Sequence, residues 1–309
     1  MNAPNIYGIA WKVLPKLPQR LVIAVSHAAA DIVYALGLRP VHQMKRNFEQ
    51  LTGAPASNAL VRDGVRSYFR CFAQQFTLSG WSTKEIGQGC VYPGAQKTRE
   101  LMNDGPVVLA LTHSGNWDLA GAWFCQEWGA ILTVAERLEP EETFNQFVEF
   151  REGIGMEIIG VGKGEHIFNE LVNRAKGRSL LVPLLADRDI SGTGIEVELG
   201  ASKALVAAGP AALALKLGRP LIAGHISYRK MKGRWQIYAH FTEPIPVPDP
   251  KEGETEVEAL TRAWVEAISP VMAQHVVDWH MMQKLFVADL DPERLARARN
   301  RVKRGPVDC

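Results

Sequence analysis

A histidine with a carboxylate five residues on, His113 and Asp118, has the residue types of a proton-transfer device. One imidazole nitrogen takes the proton of a hydroxyl, while an acceptor on the other nitrogen fixes the tautomer and stabilises the imidazolium. The spacing alone carries nothing, because eight histidines and 33 acidic residues in 309 positions give roughly one such pair by chance. Position is what singles this pair out. His113 follows VVLALT (residues 107–112), a short apolar run rich in strand formers, and Ser114-Gly115-Asn116 lead into a helical pattern over 117–128. Ligands of open parallel sheets bind beyond the carboxyl ends of the strands, where this junction puts the imidazole. A histidine that merely caps the turn satisfies the same pattern, so both readings stay open on these residues. The remaining histidines lie inside helical or strand patterns, and His275 and His280 are too far apart to share one face of a helical turn.

A second polar cluster ends another apolar run. LLVPLL (residues 180–185) runs into Ala186-Asp187-Arg188-Asp189 and then Ile190-Ser191-Gly192-Thr193-Gly194. Three charges directly after a buried strand are costly unless they meet each other or a ligand, so a loop-closing Asp–Arg pair and a ligand site both fit. Arg151 closes a helical pattern over 142–151, where its planar fork of donors suits a phosphate. The glycine loop 160–164 fails both nucleotide patterns, since Glu165 stands where GxGxxG needs glycine and no GxxxxGK[ST] occurs. No GxSxG elbow is present, which disfavours a serine hydrolase.

Elements of one kind must position these groups. The first eighty or so residues read as helices, with proline-free helical spacings over 41–51 and 57–78. From Pro106 strand candidates (107–112, 131–135, 157–161, 180–185, 221–228 and 235–241) mostly alternate with helical patterns (117–128, 142–151, 165–176 and 204–217). That order predicts an α/β fold: a doubly wound, mostly parallel sheet with helices on both faces and a helical amino-terminal cap. RKMKGR (229–234) joins the last two strands as a hairpin at the sheet's end, and a long helix follows an extended proline-rich loop, over 255–280. With no repeat or linker, the expectation is a single domain over 1–309, with a cap over 1–80 and a catalytic core over 105–285.

Composition narrows the function classes. The chain is 47% hydrophobic and 22% charged with a net charge of +2, ordinary for a folded protein and too small a charge to imply nucleic acid. Four cysteines without CxxC pairing argue against a metal cage or disulfide framework, and no metal site is expected. The run 21–38 is interrupted by Ser26, His27 and Asp31, so no membrane span is predicted. Ile6, Tyr7, Ile9, Trp11, Val13, Leu14 and Leu17 alternate with Lys12, Lys16 and Arg20, which suits either a helix lying in a lipid interface or one packed on the domain. The tail adds Arg294, Arg297, Arg299, Arg301, Lys303 and Arg304.

Taken in order, VVLALTHSGNWDLAGAW, REGIGMEIIG, LLVPLLADRDISGTGIEVELG, AAGPAALALKLGRPLIAGHI and DWHMMQKLF resemble the bacterial lipid A late-acyltransferase family over roughly residues 40–286. The resemblance is greatest to its phosphatidylinositol mannoside branch. It implies that His113 and Asp118 are the base and orienting acid of an HxxxxD motif, and that Arg151 helps bind the thioester donor. It also implies that Asp187 is the acidic residue of a second motif and that Thr193 contacts the donor. In the mannoside branch that second motif is expected to read Glu-Arg-Asp, so Asp187-Arg188-Asp189 moves the charge by about one methylene. No cofactor is implied. The implied partners are a long-chain acyl-CoA such as palmitoyl-CoA as donor substrate, a glycolipid acceptor and the inner membrane leaflet. The implied location is the cytoplasmic face of the inner membrane, as a peripheral or monotopic protein, with the acyl chain in a groove. The lipid A branch, with acyl carrier protein as donor, and a non-catalytic lipid-binding protein on the same fold are the alternatives.

Overall fold

In the computed structural model the described residues are 6–299, excepting 138–139, 163–166, 191, 193, 294 and 297–298. The amino-terminal third is helical, as the spacing predicts: α1 (Ile6–Val13), α2 (Gln19–Ala35), α3 (Arg39–Thr52) and α4 (Asn58–Thr77), the last capped by Ser57 accepting from the Leu60 N–H. Amphipathicity sets their packing. Val41, Met44, Phe48 and Leu51, on one face of α3, are buried in the core, and α4 packs along α2.

Beyond them α5 (Thr83–Gly89), β1 (Cys90–Val91) and α6 (Ala95–Met102) precede the core strand β2 (Val107–Leu111). Then follow α7 (Trp117–Glu127), β3 (Ala130–Glu136), α8 (Glu141–Gly153), β4 (Met156–Val161), α9 (Phe168–Ala175) and β5 (Leu180–Leu185). The chain closes with β6 (Ile195–Leu199), β7 (Ser202–Val206), α10 (Gly209–Leu217), β8 (Leu221–Met231), β9 (Arg234–Phe241) and α11 (Glu256–Gln274). The main sheet has the order β1-β9-β8-β2-β5-β3-β4. All its neighbours are parallel except the β8–β9 hairpin, which is capped at the sheet's edge by two-residue β1.

Both faces of the sheet are covered, which explains why its strands read as apolar runs rather than alternations. From β2, Val108 and Ala110 join the core cluster shared with α3, α10 and α11, whereas Val107, Leu109 and Leu111 join the one shared with α7 and α8. Two predicted helices are corrected. The helix over 204–217 is only α10, because residues 204–206 pair with 195–197 in the antiparallel β6–β7 hairpin, whose first strand alternates apolar-in and polar-out. The helix over 255–280 ends at Gln274 and gives way to a 3₁₀ turn over Val276–Asp278.

Candidate active site

Strand register brings the first two groups together. β2 and β5 run parallel with Leu111 opposite Leu185, so His113 and Asp187, each two residues further along, leave the sheet side by side. The Asp187 Oδ1 faces the His113 Nδ1 at 2.5 Å, and its Oδ2 accepts from the His113 backbone N–H at 3.0 Å. The indole Nε1–H of Trp279, fully buried, donates to the same Oδ2 at 2.7 Å. A carboxylate at Nδ1 puts the neutral ring's proton there and leaves Nε2 as the lone-pair acceptor. That Nε2 has no hydrogen-bond partner among the described residues, and the His113 side chain is 21% exposed. Burial works to raise the Asp187 carboxyl, but the charge and hydrogen bonds of His113 and the Trp279 donor outweigh it and hold the group below its ordinary value.

The loop carrying His113 is strapped from behind by the segment that follows α11. Ser114 forms an isolated antiparallel bridge with Trp279, the His280 N–H donates to the His113 carbonyl at 2.7 Å, and the Gly115 N–H donates to the Asp278 carbonyl at 2.9 Å. Gly115 is required twice over: its φ is +56°, and an added Cβ would stand 2.5 Å from Ile226 Cγ2. Asp278 is itself buried and accepts from Ser67 Oγ at 2.6 Å, the Tyr228 N–H at 2.7 Å and Arg70 at 3.5 Å. The Arg70 guanidinium lies against the rings of Trp235 and Tyr228, 3.8 and 4.2 Å from their centroids. Burial lowers the Arg70 pKa and raises that of Asp278, as expected of a desolvated pair.

An apolar pocket with about 770 Å³ of empty space, counting its mouth, lies between the sheet and α7. Leu109, Leu111, Leu181 and Leu185 line its sheet side, Trp123 and Phe124 its helix side, and Trp117, Asp118 and Arg151 its polar end. Leu111 and Leu185 are the last residues of β2 and β5, so the pocket reaches the sheet edge from which the dyad projects.

Known proteins carry the same pattern over nearly all of this chain. The family profile described as bacterial lipid A biosynthesis acyltransferase matches residues 4–287. The chain belongs to that family. It is 31% identical over 295 residues to the phosphatidylinositol mannoside acyltransferase of Mycolicibacterium smegmatis, covering 94% of this chain and 93% of the relative. Against the phosphatidylinositol mannoside acyltransferase of Mycobacterium tuberculosis it is 30% identical over 301 residues, covering 96% and 92%.

In this acyltransferase the place assigned to Asp118 by spacing belongs to Asp187. Asn116 caps α7 by accepting from the Leu119 N–H at 2.9 Å. The Asp118 carboxylate turns away from His113, taking the Gln75 amide at 2.5 Å and Arg151 Nε at 2.8 Å. The physical reason is the neutralisation of a buried charge: Asp118 is 1% exposed, and Arg151 supplies the counter-charge. Arg151 therefore does not stand free for a phosphate. Burial works to lower its pKa, but the Asp118 charge outweighs this and raises it.

The Asp187-Arg188-Asp189 run does not close on itself. Among the described residues Arg188 makes no ion pair and its Nε is buried without a partner, while Asp189 accepts from the Gly192 N–H at 3.1 Å. Thr193 lies outside the described residues, as do His166 and all the tail cations except Arg299, whose Nε reaches Glu196 at 3.1 Å. Trp279, Ser67, Arg70, Gln75 and Asp278 were not singled out from the sequence. The DWH run was visible, but only the strap's contacts with 113–115 give it a role.

Among the described residues no competing nucleophile stands beside His113. Ser114 Oγ is buried, engaged with Thr112 Oγ1 at 2.8 Å and accepting from the Ile226 N–H at 2.9 Å. Burial pushes the Cys90 thiol up to about 12 and the buried Cys71 thiol well up, so neither supplies a thiolate. Among the described residues, no three His, Cys, Asp or Glu side chains converge as metal ligands would.

Proposed function

We propose that the protein moves a long-chain acyl group from an acyl-CoA thioester to a mannose hydroxyl of a phosphatidylinositol mannoside, with His113 as general base. The observation that carries this reading is the imidazole held through Nδ1 by Asp187, with an unpartnered Nε2, beside an apolar pocket. The acceptor hydroxyl gives its proton to Nε2 as its oxygen attacks the thioester carbon. The tetrahedral intermediate collapses with cleavage of the C–S bond, and the proton passes from Nε2 to the leaving thiolate. The blocked Ser114 and the inert cysteines favour this direct transfer over a covalent acyl-enzyme. The apolar pocket takes the acyl chain. Arg151, already fixed by Asp118 at the polar end of that pocket, contributes to the donor's thioester end by its position. The similarity to two mycobacterial mannoside acyltransferases supports the acceptor class.

The same reading places the enzyme on the cytoplasmic face of the inner membrane. α2 buries Val22 and Ala30 and, with its C-cap Leu36, exposes Leu21, Val25 and Ile32 along a stripe of spacing four, seven and four, flanked by exposed Ile9, Val13, Leu17 and Leu38. A contiguous exposed apolar stripe is a membrane or partner surface rather than ordinary solvent-facing helix. No single described helix is long and apolar enough to cross a membrane. α2 and α3 reach that length only as a pair bent by 89°, and α3 has its apolar face in the core.

The test is acyl transfer from palmitoyl-CoA to a phosphatidylinositol mannoside extract, followed by free-thiol release and by mass spectrometry of the lipid. His113→Ala is expected to remove at least about 10²-fold of turnover with the fold intact. Near-native turnover in that variant ends the mechanism, and a strict requirement for acyl carrier protein ends the donor assignment.

A further inference from the structure

A base, an acceptor and a thioester are not sufficient for this reaction, because negative charge builds on the carbonyl oxygen and something must receive it. The polar side chains of the pocket wall are almost all committed. Tyr92 bonds Thr98, the Thr133 hydroxyl donates to the Pro183 carbonyl at 2.6 Å, and Asp118 and Arg151 hold each other. Trp117 differs. Its indole Nε1 is buried with no hydrogen-bond partner, and no other side chain lining this pocket has such an orphaned buried nitrogen or oxygen. Its ring stands edge-on to His113, with centroids 6.2 Å apart and planes at 80°.

We infer that the Trp117 indole N–H is the side-chain donor that receives the thioester carbonyl oxygen as it becomes an oxyanion. The inference rests on the transferase reading above. Three observations support it. A buried donor left unpaired in an apolar wall is rare, and it fits a partner that arrives with the ligand. Trp117 is the first residue of α7, so the helix fixes its backbone next to the loop that carries His113. The two rings pack roughly perpendicular to each other with centroids 6.2 Å apart, so a thioester held beside the His113 imidazole also lies beside the indole. In the step itself the hydroxyl oxygen bonds to the carbonyl carbon, its proton goes to His113 Nε2, and the C=O pair moves onto oxygen opposite the indole N–H. The pair returns as the C–S bond breaks and the thiolate takes the proton.

Because the donor acts on charge that exists only in the transition state, its loss falls on kcat and not on donor binding. Trp117→Phe keeps a ring in the wall and deletes the N–H. Its kcat is expected to fall about 10²-fold or more, with an unchanged KM for palmitoyl-CoA. Its affinity for a hexadecyl-thioether analogue of that donor, which lacks the carbonyl, should also be unchanged. Should Trp117→Phe fail to fold, 3-benzothienylalanine at position 117 removes the N–H while preserving the bicyclic shape, with the same expected loss. The assignment is overturned if kcat of either folded variant stays within threefold of native. It is equally overturned if affinity for the thioether falls in step with kcat, which marks a wall residue. His113→Ala separates the two levels. If that variant is inactive while the position-117 variants are active, only the oxyanion assignment falls; if it too is active, the His113 mechanism falls with it.

Discussion

Replacing Asp187 by Asn changes one atom pair and should disable the enzyme with little effect on its packing. In the native site Asp187 Oδ2 accepts from two fixed donors, the His113 backbone N–H at 3.0 Å and the Trp279 indole at 2.7 Å. Oδ1 faces His113 Nδ1 at 2.5 Å. An asparagine can satisfy both fixed donors only by turning its carbonyl oxygen toward them, which points its NH₂ at Nδ1. Nδ1 must then accept, the ring proton moves to Nε2, and the base has the wrong tautomer for taking a hydroxyl proton. Loss of the orienting carboxylate by this route is worth about 10⁴-fold in kcat, or about 5.5 kcal/mol of barrier at 1.4 kcal/mol per decade. Asp118→Asn makes the contrast. It leaves His113 untouched but strips Arg151 of a counter-charge in a pair whose side chains are 17% and 1% exposed. That costs about 3 kcal/mol of stability, the low end for breaking a buried pair because the amide oxygen still accepts one bond, and lowers Tm by about 5 °C. The assay is thiol release from palmitoyl-CoA with mannoside acceptor, run beside thermal melts of both variants. Turnover of Asp187→Asn within tenfold of native refutes the dyad. An Asp118→Asn variant of native stability but Asp187→Asn-like inactivity returns the orienting role to Asp118.

Trp279→Phe should lower kcat about tenfold with the donor KM unchanged, because one of the two donors that fix the Asp187 carboxylate is lost; a loss confined to KM counts against that positioning role. Val25→Asp with Ile32→Asp should abolish pelleting with anionic vesicles without moving Tm, since both side chains are more than half exposed; undiminished binding removes α2 from the membrane face. Burial, with His240 and His275 adding repulsion, pushes the His225 imidazole down to about 3 from an unfolded-state 6.5. Between those values the unfolded chain binds the extra proton, so stability is complete above about pH 6.5 and falls as pH drops, by about 2 kcal/mol at pH 5. His225→Gln cannot titrate there and should flatten the Tm–pH curve between pH 5 and 7; an unaltered slope assigns the dependence elsewhere.

Much of this molecule was legible from local pattern. The apolar runs 107–112 and 180–185 announce strands buried on both faces, because a sheet covered twice has no polar side to alternate with. Parallel order then puts the residues after both runs, His113 and Asp187, at one edge of the sheet. Local pattern misled over 204–206, where small and apolar residues of β7 resembled the start of α10. It also misled at Asp118. Spacing in sequence states which side chains are within reach of a backbone, whereas the partner of a buried charge is decided by which other charges are buried beside it. Arg151 on α8 and Gln75 on α4 claim Asp118, and neither is near it in the chain. The same holds for Trp279, 92 residues from the carboxylate it holds, and for Ser67, 211 residues from Asp278. Residue types and periodicity determined the sheet, its two covered faces and the edge that carries His113 and Asp187. Only tertiary packing decided which acid orients His113, because a dry interior satisfies its polar groups by proximity in space, without regard to order along the chain.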